Sequence, residues 1–536
     1  MVAIDSPSPV PPGVLDAFWR YDAALLANDK PVLDELFLPG PDTLRGDGRN
    51  LLVGHDAISG FRSARAAIPT RAIAALHVRV LTADDVLIMA RTAGNTGDGA
   101  NTGAGAASGL QTQLWRRTEA GWRVAAAHVS LPAVPPPAVP PAFDQAVWRV
   151  VGAPLAPALG PGPLDGCRVA VKDLFAVAGH PVGGGVPAYL AGQAPQPTSA
   201  PCVTALRRAG AELAGIAQTD EFAYSIAGRN PHYGAAPNPA APGRLGGGSS
   251  SGPAAAVALG QAEIGLGTDT AGSIRVPASY HGLVGFRPTH GAIAPVGVLP
   301  LAPSFDTVGW LTRDVATSQA VARELLPPPD ARASATGAPA ARAVRLPLVE
   351  GLADEATRTL FTESAGRLAA AGLLPPAEPA DLPAGVLEDW FTAFRTLQAY
   401  QAWQAHGGWI SAHPGALAGD VAGRFAIAAA VTSDQAADAR AVVAQARAVL
   451  TGWLDGAVLI LPSAPGPAPL RTAGPGEIDD VRRSTLRMSC LAPLAGAPAV
   501  SLPLAGHVAP VGLSLIGPPG ADHALLDLAA PIFGNS

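Results

Sequence analysis

The chain has 536 residues, room for about three to four domain-equivalents and a sizeable core. Thirty-six basic against 42 acidic residues give a net charge of −6, which argues against a nucleic-acid coat or a polybasic membrane anchor. Hydrophobic residues make up 48%, but no apolar run reaches about 18 residues, so no transmembrane helix is expected.

The first residues, MVAIDSPSPVPPG, lack a basic region followed by an apolar one, so no secretory signal is predicted. Cys167, Cys202 and Cys490 are too widely spaced for a local metal site and too few for a disulfide framework. A reduced, cytoplasmic compartment is expected. Only Lys30 and Lys172 are lysines; the other 34 basic residues are arginine. Coding bias accounts for the general depletion, but it raises the question of whether a surviving lysine does something arginine cannot.

In chain order, residues 15–37 place apolar side chains at Phe18, Leu25, Leu26, Val32, Leu33 and Leu36, which predicts two helices broken near 28–31. Alternating segments follow, ALHVRVLTADDVLIMARTAG and LQTQLWRRTEAGWRVAAAHVSL, the second with a hairpin turn near 119–121. Helices first and a curled antiparallel sheet after them make an α+β domain over residues 1–130. The run LPAVPPPAVPPAF is a semi-rigid spacer, placed within residues 131–145. From 146 to 536 short apolar strands alternate with helical segments, an α/β pattern. Residues 325–455 are Ala-rich with helical spacing, and PAVSLPLAGHVAPVGLSLIGP reads as a closing hairpin.

Three segments carry chemistry. VAVKD ends a buried strand in Lys172 and Asp173; taken alone, a strand-end lysine snorkels to water. GGGSSSG, residues 246–252, abuts the apolar helix PAAAVALG, an odd place for a flexible linker. GTDTAGSIR, residues 267–275, lies between a strand and VPASYHGLVGF, where the bland alternative is a glycine turn. Ser249 and Ser273 stand 24 residues apart, and Lys172 precedes Ser249 by 77.

Together these strongly resemble the amidase signature family, over about residues 150–325 and again near LAGAPAVSLPL. The resemblance implies a mixed central sheet covered by helices and a Ser–cisSer–Lys triad. Lys172 falls on the base, Ser249 on the bridging serine with a cis peptide, and Ser273 on the nucleophile. Backbone N–H groups of Thr270, Ala271, Gly272 and Ser273 would surround the oxyanion, backed by the N-terminal dipole of the following helix. Gly247 and Gly248 give the serine loop its backbone freedom. Asp269 and Arg275 read as braces for the nucleophile loop rather than substrate contacts. The family's usual GGSSGGS is GGSSSGP here, and GGS at the nucleophile is AGS. Pro253 is acceptable in a first helical turn, and Ala271 would tighten the loop or narrow the pocket.

Burial among apolar neighbours would keep Lys172 neutral and able to act as a base. The implied reaction is hydrolysis of a small carboxylic-acid amide, with no metal or organic cofactor. Segments such as DEFAYSIAGRNPHYGAAPNP resemble the branch containing plant-type indole-3-acetamide amidases, implying a small apolar or aryl acetamide. The alternatives are a non-catalytic binding module of the same fold and an amidotransferase-like subunit that needs a partner. A third, the G-x-S-x-G elbow with Ser250, Asp522 and His523, leaves VKD and GTDTAGSIR unexplained.

Over roughly residues 10–132 the segments FWRYDAALLANDKPVLDELF, TLRGDGRNLLVGHDAISGFR and LWRRTEAGWRVAAAHVS resemble the cone-shaped SnoaL-like, nuclear-transport-factor-2-like domains, in a branch acting on a dicarboxylated urea in cyanuric-acid breakdown. Tyr21, Arg45 and Arg62 match polar positions of that branch, and Arg45 with Arg62 would clamp a carboxylate. Surface arginines and a core tyrosine are the competing reading. A second catalytic unit, a specificity lid and a dimerisation module, with the chain as a homodimer, all stay open.

Overall fold

The computed structural model describes residues 2–47, 51–63, 71–94, 108–130, 143–328 and 341–533. The Pro-rich spacer at 131–145 lies outside them except for its last three residues. The chain divides into two compact units, Met1–Val139 and Pro140–Ser536.

In the small unit, β1 (Ala3–Asp5) precedes helices α1 (Val14–Ala27) and α2 (Lys30–Glu35). Their break follows from the local chemistry. Asn28 takes the left-handed conformation, φ 54°, and ends α1. The Asp29 side chain accepts from the Val32 N–H at 3.2 Å, with Pro31 in the first turn of α2. Then come β2 (Leu44–Asp47), β3 (Leu51–Val53), α3 (His55–Ser63), β4 (Arg71–Val80), β5 (Asp85–Gly94), β6 (Ser108–Thr118) and β7 (Gly121–Ser130). The sheet order is β1-β4-β5-β6-β7-β2-β3. The expected hairpins form the meander β4 to β7, whose alternate residues Leu76, Val78, Val86, Ile88 and Ala90 are buried with Phe18 and Trp115. The purely antiparallel expectation needs correction: β1 joins β4 and β2 joins β7 in parallel. These two strands have three and four residues, too few to show a period in the sequence.

The large unit contains β8 (Trp148–Ala156), β9 (Arg168–Lys172), β10 (Glu212–Ala217), β11 (Ile264–Asp269), β12 (Val284–Arg287), β13 (Thr307–Thr312), β14 (Arg342–Arg345), β15 (Ala377–Pro379), β16 (Ala457–Pro462), β17 (Ala499–Leu504) and β18 (Val511–Ile516). They form one mixed sheet, ordered β15-β14-β16-β18-β17-β12-β13-β11-β9-β10-β8. The closing hairpin is β17–β18, antiparallel with Ala499 opposite Ile516. The Ala-rich middle supplies long helices, Val386–Ala412 and Ser433–Leu454 among them, but also the short parallel strands β14 and β15.

Strand β9 lies between β11 and β10 and runs parallel to both. Strands covered on both faces are apolar throughout rather than alternating, and Val169, Ala170, Val171, Ile264 and Leu266 are fully buried. The three strands end together at Lys172, Ala217 and Asp269. Loops leaving the carboxyl ends of parallel strands converge on a crevice, and here those loops carry the motifs.

Candidate active site

Lys172, the last residue of β9, is wholly buried. Its Nζ donates to Ser249 Oγ at 2.8 Å and to Thr268 Oγ1 at 2.9 Å. The snorkelling alternative therefore fails, because the ammonium end points inward. Burial lowers its pKa to about 7, against the opposing pull of Asp220, Asp269 and Asp306. Near neutral pH a substantial fraction of this lysine is an amine, which is what a base must be.

Ser249 is reached through a cis peptide bond from Gly248 and is fully buried. Its carbonyl accepts from Thr219 Oγ1 at 3.0 Å. Gly247 has φ +70°, and a Cβ there would meet Tyr280 Cδ2 at 2.8 Å. A Cβ on Gly248 would meet Asp220 Oδ2 at 2.6 Å and the Gly228 nitrogen at 2.8 Å. Both glycines are thus required by close approach. Gly248→Ala is expected to displace Ser249 from Lys172 and lower kcat/KM by about 10²-fold, with little change in the far-ultraviolet circular dichroism. The buried helix Ser251–Ala258 follows, with Pro253 in its first turn as anticipated.

The loop 267–275, which carries Ser273, is built around Asp269. This fully buried carboxylate accepts from the N–H groups of Gly272 at 2.9 Å and Ile274 at 3.2 Å, and from Arg275 Nε at 3.0 Å and Nη2 at 2.9 Å. Arg287 adds its Nη1 at 3.2 Å and also donates to the Asp269 carbonyl. Burial opposes ionisation of Asp269, but Arg275 and Arg287 outweigh it and hold the carboxyl well below its usual range. Asp269 and Arg275 are thus bonded to each other and to the loop backbone. The oxyanion expectation for Gly272 needs correction. Its N–H is held by Asp269, so it does not face a substrate. Among the described residues, no backbone acceptor takes the N–H of Ala271 or Ser273. Ala271 is buried in an apolar cluster with Ile226 and Leu486, and Ser489 Oγ donates to its carbonyl at 2.5 Å. Ser273 is buried, and its carbonyl accepts from the Ser250 N–H at 3.3 Å, joining the two serine loops.

Several groups here escaped the sequence reading. Thr268 lay inside GTDTAGSIR and had the signal of its neighbours. Arg287 and Ser489 had none, since they come from β12 and from the helix Pro475–Ser489. Thr270 Oγ1 donates to Asp306 Oδ1 at 2.6 Å, and Asp306 accepts from the N–H groups of Leu301 and Ala302.

The elbow alternative is not assembled. Ser250 Oγ is turned to the Thr268 carbonyl, Asp522 is engaged by Thr289, and half-buried His523 faces the Pro327 carbonyl. In the small unit Tyr21 is a core residue against Phe37 and Trp115. Arg62 is buried, bonded to Asp34 Oδ1 at 2.8 Å and the Leu33 carbonyl at 2.9 Å. Arg45 stacks on Phe61, 4.3 Å from the ring centre. The proposed clamp therefore lacks a free Arg62, because Asp34 already occupies its guanidinium.

A family model described as Amidase matches residues 152–360, and one described as AtzH-like matches residues 3–134. Indoleacetamide hydrolase of Pseudomonas syringae pv. syringae is 42% identical over 161 residues, 30% of this chain and 35% of that protein. Among solved structures, a crystal structure of an amidase aligns with a TM-score of 0.62 at 30% identity, covering 72% of this chain and 91% of that one. An inhibitor-bound complex, described as vestigial and as revealing the origins of an s-triazine catabolic enzyme, aligns with a TM-score of 0.62 at 27% identity, covering 70% of this chain and 84% of that one. Amidase 1 of Oryza sativa subsp. japonica is 34% identical over 399 residues, 69% of this chain and 91% of that protein. A likeness extending through that much of a whole amidase places the chain in the amidase family, as an amidohydrolase preceded by an AtzH-like part.

Proposed function

We propose that the chain hydrolyses a small carboxylic-acid amide to the acid and ammonia through Ser273, Ser249 and Lys172. The buried Lys172–Ser249 contact at 2.8 Å carries this reading, because it pairs an amine that is in part neutral with a hydroxyl beside the second serine loop. Ser273 Oγ attacks the amide carbon while its proton passes through Ser249 to Lys172. The carbonyl oxygen becomes an oxyanion, received by the N–H groups of Thr270, Ala271 and Ser273. Each such donor contributes about 3–4 kcal/mol in the transition state. The C–N bond then breaks, and nitrogen takes the proton back from Lys172 through Ser249. Water cleaves the resulting ester by the same relay.

The acyl group we favour is a small apolar or aryl acetic acid, a reading supported by the partial likeness to indoleacetamide hydrolase. Cys202 and Cys490 are free thiols pushed up to about 12 by burial, and Cys167 is also free. That supports a reducing, cytoplasmic setting.

Ser273→Ala tests the assignment. Fluorophosphonate labelling is expected to vanish, and ammonia release from a panel of primary amides to fall by about 10³-fold or more. Ser250→Ala is expected to keep its labelling. Undiminished labelling of Ser273→Ala would sink the mechanism.

A further inference from the structure

Outside the serine–lysine site, three arginines gather around one buried tyrosine, Tyr224. Arg395, Arg424 and Arg482 come from the helices Val386–Ala412, Gly419–Ala429 and Pro475–Ser489, and the first of these packs against the other two. Arg424 Nη1 donates to the Tyr224 carbonyl at 2.7 Å. The Tyr224 ring meets Phe425 edge-on, with ring centres 5.1 Å apart. Arg395 and Arg487 both stand over Phe391, 5.4 and 4.5 Å from its ring centre, which joins the first helix to the third. Burial raises the Tyr224 phenol, and the charges of Arg482, Arg424 and Arg395 pull it back.

These guanidiniums are short of counter-charge. Arg424 has Asp420 at 3.0 Å, and Arg482 has Asp479 at 3.7 Å. Both carboxylates are more than half exposed, where an ion pair contributes little. Asp479 is also shared with Arg483 at 3.8 Å, and Glu388 is held by Arg487 at 2.8 and 3.1 Å. Among the described residues Arg395 has no carboxylate partner, and the buried Nε of Arg482 has no hydrogen-bond partner. The side chains of Arg424 and Arg482 are only 16% and 13% exposed, so water reaches little of them. Burial pushes Arg482 down to about 10, and Arg424 and Arg395 push the same way. Cations held together against their own repulsion, with donors left open, suit an anion that arrives from outside. The planar fork of guanidinium fits a carboxylate, and the neighbouring aromatic rings favour one carried on an organic body.

The cluster borders the catalytic loops. The carbonyl of Ile226, two residues on from Tyr224, accepts the Gly248 N–H at 2.9 Å. Leu486, one turn on from Arg482, packs with Ile226 and Ala271. We propose that Arg395, Arg424 and Arg482 form a binding site for an organic carboxylate beside the Tyr224 ring. The carboxylate is either the far end of an amide substrate or a free acid acting on the enzyme from this site. The binding itself does not rest on the serine–lysine reading.

The test uses the full chain, with succinate as the probe and isothermal titration calorimetry at low ionic strength. Succinate is expected to saturate one site, and Arg482→Gln and the exposed Arg395→Gln to weaken it by about tenfold each. Arg483→Gln, whose guanidinium is held by Asp480, should bind as wild type does. Without succinate, Arg482→Gln should melt no lower than wild type, because it removes a repelled charge. Two amides then locate the source: succinamate, which carries a carboxylate, and butanamide, with a methyl group in its place. A substrate carboxylate predicts kcat/KM about tenfold or more higher for succinamate, a ratio that falls to about one in Arg482→Gln. A free acid predicts that succinate alters butanamide hydrolysis without competing with it, an effect lost in Arg482→Gln. No succinate binding by wild type, or undiminished binding by both Arg482→Gln and Arg395→Gln, would overturn the proposal. A clearly lower melting temperature for Arg482→Gln would also overturn it, by making Arg482 a brace for the fold.

Discussion

Lys172→Arg is expected to lower kcat/KM by about 10³-fold or more, in the range lost with a general base. Arginine keeps the charge and the reach but cannot be deprotonated in a protein. It also places a larger cation where burial already disfavours one. Lys172→Met removes the amine at similar volume and should lose the same activity without that added cost. Comparing the two by denaturant titration separates the loss of the base from damage to the fold. The wild-type rate should rise with pH through about 7 and then level, since only the neutral lysine can take the proton. Stability should follow the same group. Its folded pKa lies below the unfolded value of 10.5, so between about pH 7 and 10.5 the unfolded chain binds the extra proton. Across that window stability rises with pH, and Lys172→Met should flatten the slope. A rate profile with no inflection near pH 7, unchanged in Lys172→Met, would falsify the assignment of the base.

Asp269→Asn should cost the large unit about 3–5 kcal/mol, the usual penalty for breaking a buried ion pair from one side. Arg275 and Arg287 have side-chain exposures of only 2% and 0%, so neither guanidinium can turn to water for compensation. The substitution also replaces a carboxylate oxygen holding the Gly272 or Ile274 N–H, which lets the nucleophile loop shift. A fall in kcat/KM of about 10²-fold should accompany the lost stability. Denaturant titration of the full chain, with Arg275→Ala beside it, checks the first expectation. A stability within about 1 kcal/mol of wild type would remove the carboxylate from its central place in the loop.

The small unit shows how far a local pattern reaches. The break at Asn28 and the hairpin β6–β7 were legible because turn residues and a period of two act over a few neighbours. The short strands β1 and β2 were not, since their pairing with β4 and β7 joins residues far apart in sequence. Arg62 failed as a clamp for the same reason. Its residue type suits a carboxylate, but Asp34 supplies one 28 positions away. At the large site, Lys172, Ser249, Ser273, Gly247 and Gly248 were named from three short motifs. Each motif is a strand end or loop whose chemistry is set by its own residue types.

The sequence by itself singled out the candidate serines and lysine and the two-part organisation, because motif spacing and composition are properties of the chain alone. Within an arginine-biased chain it also singled out the one lysine placed at the end of a buried strand. Only the tertiary structure decided which charges brace the loop and that the Gly272 N–H is taken by Asp269. Arg287, Thr307 and Ser489 reach the loop 269–275 from remote elements. The burial that lowers Lys172 to about 7, and the two arginines that keep buried Asp269 ionised against it, depend on how the whole sheet and its helices close over these groups.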